Sequence, residues 1–337
     1  MTLLVRTLLS MVFFAANSVL CRLALLDAQM APASYTAIRV GSGALLLWAL
    51  CAGRLALAAW PNGPGRPGEP DGSPDGPDAR DSPRTRETPG TPGSLPALWR
   101  AGDWPAALAL LAYMACFSWA YVDLPAAAGT LVIAVAVQGS MFGLGLLAGE
   151  RPGRRQGLGL GLALAGLVAL VLPGLSAPPL GGALVIFVAG AAWGVYSVRG
   201  RTARDPLAAT AGNFLRAAPC ALLLPLLAGD GLPSGPGVAY AVAAGALASA
   251  VGYVLWYAVV ARLSVTTAAV VQLCVPPITA AGGALFLGEA VTARLAASSL
   301  AILGGVFLCM TARRAPAALV TEHPRQATPA GTRTKAP

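Results

Sequence analysis

Leu146-Leu147-Ala148-Gly149-Glu150-Arg151 and Leu285-Phe286-Leu287-Gly288-Glu289-Ala290 each close a long apolar run, and they lie 139 residues apart. The same offset pairs Gly166 with Gly305, each deep in the apolar run that follows its Gly-Glu. Earlier in each half, Phe14-Ala15-Ala16-Asn17 aligns with Trp193-Gly194-Val195-Tyr196, and Arg22 with Arg201, at an offset of 179. Ala37-Ile38-Arg39 aligns with Phe214-Leu215-Arg216 at 177. The offset falls by 38 between the second and fourth runs because the first half carries a Pro/Gly-rich insertion there. An internal repeat of this kind sets the architecture before any single motif does.

Composition identifies the solvent around the repeat. With 56% apolar and only 11% charged residues and a mean hydropathy of +0.67, the chain cannot cover a water-facing surface and reads as a membrane protein. A helix needs ~20 mostly apolar residues to cross the hydrocarbon core. Ten such runs fall near 3–24, 33–56, 104–122, 125–147 and 155–173, then 181–199, 207–228, 237–261, 264–287 and 293–311. Alternating patterning at the ~10-residue spacing of a barrel is missing. The first run lacks an Ala-x-Ala-like exit and matches an internal helix of the second half, so it reads as a span and not as a signal peptide. The predicted fold is an all-α membrane protein of ten transmembrane helices in two five-helix repeats, residues 1–173 and 180–312, followed by a disordered tail, 313–337.

Five crossings per half return the chain to the opposite side, so the second repeat is expected to be inverted relative to the first. With the N-terminus inside, the inner segments hold Arg6, the basic residues from Arg54 through Arg100, then Arg151, Arg154 and Arg155, then Arg199, Arg201, Arg204 and Arg262, and the basic tail. The outer connections hold only Arg22 and Arg294, at helix margins. This bias predicts both termini in the cytoplasm. It also accounts for the net charge of +9 without a nucleic-acid partner, because the basic residues are spread over many loops and form no single face.

The insertion, about 61–98, is Pro, Gly, Asp and Arg with little apolar content, and is predicted to be disordered. Trp60, Trp99 and Trp104 bracket it as interfacial anchors. Six cysteines stand singly in the apolar runs with no Cys-x-x-Cys pair or His neighbour, which supports neither a metal site nor a disulfide framework. No cofactor is expected. Gly157-Leu158-Gly159-Leu160-Gly161 and Gly181-Gly182 fit close helix packing, not a phosphate loop.

Polar groups inside the membrane are costly and are functional candidates by default. Arg39 lies one to two turns from the outer end of the second run, where it can snorkel, and is read as structural or gating. Its counterpart Arg216 lies near the middle of the seventh run, and no Asp or Glu occupies the middle of any run. Arg216 must therefore snorkel, bond helix-end carbonyls or meet an anionic ligand group. Glu150 and Glu289 sit at helix C-termini, the wrong end of the dipole for a carboxylate. Their expected task is to accept N–H groups from the first turn of the next helix or to pair with Arg151 and Arg154, fixing hinges. Pro276-Pro277 removes two backbone donors midway along the ninth run and leaves carbonyls for water, a ligand or a tolerated kink.

Two halves of five helices, an Arg in each second helix, Trp193-Gly194 in the sixth, and Gly-Glu closing the fourth and ninth resemble the ten-helix EamA-type branch of the drug/metabolite transporter superfamily. The resemblance covers roughly residues 5–312, with Phe14-Ala15 standing where Trp-Gly is usual. It implies a bacterial inner-membrane carrier, multi-pass, working by alternating access as an exporter of amino acids, nucleosides or related small metabolites. Binding residues in such relatives come from the first, third, fourth, sixth, eighth and ninth helices. Here that implies Asn17, Trp119, Gln138, Trp193, Tyr196, Tyr253, Trp256 and Gln272 as cavity residues. Four-helix relatives that export cationic drugs use a membrane-embedded Glu in the first helix, where this chain offers only Asn17.

Proton-coupled carriers titrate an acid or His inside the membrane. This chain supplies none at depth, so facilitated or exchange transport, or coupling through Glu150 or Glu289, is expected. An embedded enzyme would need a catalytic cluster and a channel a continuous polar stripe; the sequence offers neither. The expected partners are a small-molecule substrate and the lipid bilayer, with the protein acting as a monomer or a homodimer. Zwitterionic or neutral metabolites held by Gln138, Tyr196 and Asn17 compete with anionic metabolites drawn to Arg216 as the substrate class.

Overall fold

A computed structural model of the chain describes residues 2–58, 95–123, 126–172, 179–287 and 292–311. These residues form α1 (Leu3–Arg22), α2 (Pro32–Ala58), α3 (Leu95–Ala101), α4 (Trp104–Asp123), α5 (Ala126–Leu147), α6 (Arg154–Val171), α7 (Leu180–Gly200), α8 (Pro206–Ala228), α9 (Gly235–Val242), α10 (Gly252–Val260), α11 (Val265–Val271), α12 (Val275–Leu287) and α13 (Ala293–Thr311). Nine of the described spans are long and apolar enough to cross a membrane, and Val265–Ala281 is a shorter tenth. Large apolar side chains such as Leu147, Leu180, Leu226, Leu227 and Phe307 face outward, as a protein solvated by lipid requires.

The helix ends follow from their sequences. Ser234 and Ser264 cap α9 and α11 by accepting from Gly237 and Thr267 N–H. Asp205 caps α8 ahead of Pro206 at the first helical position, and Gly229 ends that helix in the left-handed region at φ 68°.

Three spans are less regular than the apolar runs suggest. The first continues past α1 into a π turn, Leu23–Asp27, and a longer π stretch, Ala243–Val251, joins α9 to α10. The ninth run, expected as one helix over 264–287, divides into α11, a 3-10 turn at Gln272–Cys274, and α12. Pro276 and Pro277 explain the division: they have no N–H to give the carbonyls of Gln272 and Leu273, four residues back. The expected disordered insertion also ends earlier than 98, because α3 begins at Leu95 and buries Leu98. Residues 59–94 and the tail from 312 lie outside the described residues.

The main pairings of the spans are kept when the two halves are exchanged. Spans five and ten pair with each other as α6 and α13, and spans two and seven as α2 and α8. The contact of α4 with α7 has its counterpart in α10 with α1, and that of α5 with α7 in α12 with α1. The correspondence extends to single residues. A Cβ on Gly305 would meet the Gly159 carbonyl, and one on Gly166 would meet the carbonyl of Ser298. At the offset of 139 these are the same contact, since Gly166 maps to Gly305 and Gly159 to Ser298. Bulk at either glycine would force α6 and α13 apart, which is why small residues sit there.

One end of the bundle is basic and is tied across the halves. Arg54 pairs with Asp205 and Arg199 with Asp103, each at 2.8 Å. At the opposite end the Ser34 N–H and hydroxyl both donate to Asp230, at 2.8 and 2.7 Å, and the Ser234 hydroxyl donates to the Ala28 carbonyl at 3.1 Å.

Candidate substrate site

The aromatic residues of the spans converge where the halves meet. Phe14 of α1 and its repeat counterpart Trp193 of α7 stand edge to face with ring centroids 5.2 Å apart. Trp193 lies 4.9 Å from Tyr253 and 4.8 Å from Tyr113, and Phe14 lies 5.6 Å from Trp256. Such edge and tilted geometries are the favoured ones for aromatic pairs. Both indole N–H groups have a partner on another element. Trp193 Nε1 donates to Gln272 Oε1, and Trp256 Nε1 to the Ser197 hydroxyl at 3.0 Å. Gln272 sits in the 3-10 turn ahead of Pro276, so the proline break places an amide beside the ring cluster. Gln138 of α5 donates to the Ala269 carbonyl of α11 at 2.8 Å, joining the fourth and ninth spans. Asn17 is buried one turn from Phe14, and its Oδ1 has no partner among the described residues.

Of the residues expected to line the site, Trp193, Tyr196, Tyr253, Trp256 and Gln272 are therefore brought together. Trp119 is not: it is 39% exposed on the outer face of α4. The inward face of that helix carries Tyr113 and Phe117, one turn apart, with rings 5.6 Å from each other. Their four-residue spacing was the available signal.

The two membrane arginines differ. Arg39, expected to snorkel, is fully buried. Its Nε donates to the Ser249 hydroxyl at 2.9 Å and its Nη2 to the Tyr253 hydroxyl at 2.8 Å, so α2 is bound to the eighth span where the π stretch passes into α10. Its guanidinium carbon lies 6.0 Å from the Tyr35 ring and 5.8 Å from that of Tyr113. Arg216 is turned away from the cluster. Its Nη2 donates to the Trp99 carbonyl, its Nη1 to the Gly212 carbonyl at 3.2 Å, and it lies over the rings of Trp99 (4.9 Å) and Trp104 (5.9 Å).

Glu150 accepts the N–H of Val265, at 2.9 and 3.1 Å, and pairs with Arg201 at 2.9 Å. The helix whose first turn it caps is α11, two spans after the α7–α8 connection, and its cation is Arg201, not Arg151 or Arg154. Glu289 lies outside the described residues. Pro276 and Pro277 lie at the start of α12, with Pro277 buried.

A cavity of about 360 Å³ opens at the basic end, lined by residues that include Asp103, Arg199, Thr202, Arg204, Asn213 and Tyr257. Tyr257 forms its inner limit: the hydroxyl receives Asn213 Nδ2 at 3.3 Å and donates to the Tyr196 carbonyl at 3.3 Å. The rings of Tyr257 and Tyr196 are 4.8 Å apart, and Tyr196 lies 5.5 Å from Trp193. A continuous aromatic path thus joins the cavity to the centre. Among the described residues no group of three His, Cys, Asp or Glu is placed to hold a metal.

Apolar spans enclosing a buried polar and aromatic centre, with a vestibule at one end, define a multi-pass membrane protein built like a carrier. The model of the EamA-like transporter family matches residues 180–311. The chain is 43% identical over 316 residues to an uncharacterized protein of Pseudomonas aeruginosa, covering 94% of this chain and 96% of that one. It is 32% identical over 204 residues to a probable terminal-alkyne amino-acid exporter of Streptantibioticus cattleyicolor, covering 56% of this chain and 67% of the relative. A solved crystal structure of a protein with 21% identity superposes with a TM-score of 0.65 over 93% of this chain and 100% of its own, which shows the fold. The protein belongs to the EamA-like transporter family.

Proposed function

We propose that this transporter exports small metabolites, amino acids or close relatives, across the bacterial inner membrane by alternating access. Both termini and the basic end face the cytoplasm, and residues 1–173 and 180–312 form two inverted repeats. The observation that carries the reading is the meeting of Phe14 and Trp193, repeat counterparts, beside the Gln272 amide. Inverted-repeat carriers bind substrate at such a place, next to a broken helix. The relative named as an amino-acid exporter points to the substrate class. Substrate enters through the vestibule, passes Tyr257 and Tyr196, and is held among Trp193, Gln272, Gln138 and Asn17.

The ion pairs at the basic end and the Asp230–Ser34 bonds at the other are the contacts that open alternately. Glu150 is the hinge on the cytoplasmic side. At the repeat offsets its partners Val265 and Arg201 become Ala126 and Arg22, and Glu289 is assigned the matching task on the outer side. Without a carboxylate at depth, movement is facilitated or by exchange.

The test is an untargeted comparison of medium metabolites from cells expressing the intact protein and cells expressing Gln138→Ala/Trp193→Ala at matched membrane levels. A compound that accumulates outside only with the intact protein establishes export. Equal media, followed by equal uptake into vesicles reconstituted with either protein, would reject the site.

A further inference from the structure

Arg39 is a buried cation with no acid to balance it. The sequence places no Asp or Glu in the middle of any span, and the groups around Arg39 are neutral: the hydroxyls of Ser249 and Tyr253, which accept from it, and Tyr113 beside its guanidinium. A guanidinium has five N–H donors in a planar fork. Here Nη1 is buried and has no partner among the described residues. An arginine inside the hydrocarbon is costly, and neutral hydroxyls compensate for a charge less well than a carboxylate on the same fork. Tyr253, which receives Nη2, is also in ring contact with Trp193, so the spare donor borders the centre assigned to substrate.

We propose that Arg39 is the carboxylate-binding residue of the transport site. The ligand is a small zwitterion or monoanion bearing a carboxylate, such as an α-amino acid. Its carboxylate lies on the Nη1 edge of Arg39, and its side chain lies against Trp193 and Tyr113. Arg216 also has a buried unpartnered donor, its Nε, but its two terminal nitrogens donate to backbone carbonyls and its guanidinium lies over Trp99 and Trp104, away from Trp193. The inference rests on the transporter reading and adds the group that the site recognises.

The full-length protein is reconstituted into proteoliposomes and supplied with a radiolabelled mixture of the proteinogenic L-amino acids. Competition by the unlabelled mixture is compared with competition by the matching amino-acid amides, which keep every side chain and lose only the carboxylate. The expected result is that amides compete about tenfold or more weakly, the worth of a charge-assisted hydrogen bond. Arg39→Gln should bring the two curves together, and Arg39→Lys should give an intermediate ratio. Ser249→Ala keeps the charge and removes one hydroxyl partner, so its preference for the carboxylate must equal or exceed that of the parent; this variant decides the matter if Arg39→Gln does not fold. Uptake by the parent with amides competing equally, or an Arg39→Gln protein that keeps the preference, overturns the carboxylate assignment and leaves the transporter reading standing. A parent protein that takes up none of the label overturns the amino-acid reading and with it this assignment of Arg39.

Discussion

Arg39 and Arg216 align at an offset of 177 residues and have different surroundings. The cause lies in what joins the helices. In the first half the connection between spans two and three ends in α3, and Gly212 of α8 lets α3 approach so closely that a Cβ there would meet the Leu98 carbonyl and the backbone of Gly102. This contact presents the Trp99 carbonyl and two indole rings to Arg216, which is bound locally. In the second half, α8 and α9 are joined by the short stretch Gly229–Ser234, which holds no helix, and Arg39 faces the irregular part of the eighth span. The connecting segment decides whether the terminal nitrogens of the aligned arginine are taken up by backbone carbonyls, as in Arg216, or one of them is left without a partner beside the aromatic centre, as in Arg39.

The largest effect that would sharpen this contrast is expected from Arg39→Gln. Export should fall about tenfold or more, since a fully desolvated charged hydrogen bond to ligand is lost, read as the initial rate of appearance in the medium at equal protein. Gly212→Leu attacks the other side of the contrast by wedging α3 off α8. Overpacking of this kind costs ~1–3 kcal/mol, and a lowered unfolding temperature in detergent, with the carboxylate-to-amide preference kept, is the expected outcome. Glu150→Gln removes the ion pair to Arg201 while keeping an acceptor for Val265, at about 1 kcal/mol. It should slow turnover without changing which compounds compete. Arg216→Gln should cost about 1 kcal/mol in stability through its lost carbonyl bonds and leave export near the parental rate. Trp119→Ala, on the outward face of α4, should change neither quantity measurably.

Much of the architecture was legible because it depends on length, repetition and charge. The apolar runs follow from the residues, and the break at Pro276 has a cause visible in the sequence; of the two closing Gly-Glu pairs, Gly288-Glu289 lies outside the described residues. The facing of α4 was not legible. That helix is apolar nearly all round, so its pattern does not say that Tyr113 and Phe117 look inward while Trp119 looks out. The snorkelling expected of Arg39 failed for a related reason. Its distance from the helix end was readable, but the Ser249 hydroxyl comes from a π stretch and that of Tyr253 from the first turn of α10 after it, and nothing in Ala243–Val251 announces that winding. Asn213, one turn before Arg216, was missed because its partners, the Asp103 N–H and the Tyr257 hydroxyl, lie on other elements; Tyr35 stands one turn before Arg39 on the same helix, a spacing the sequence does show. The approach of α3 to α8 required Gly102 and Gly212 to be seen as neighbours although they are far apart in the chain.

The most direct test sets the two arginines side by side: Arg39→Gln and Arg216→Gln, each at the parental level in the membrane, in cells whose medium is followed for exported amino acids. Loss of export in the first with near-parental export in the second is the result predicted here. Parental export by Arg39→Gln together with loss in Arg216→Gln would contradict it.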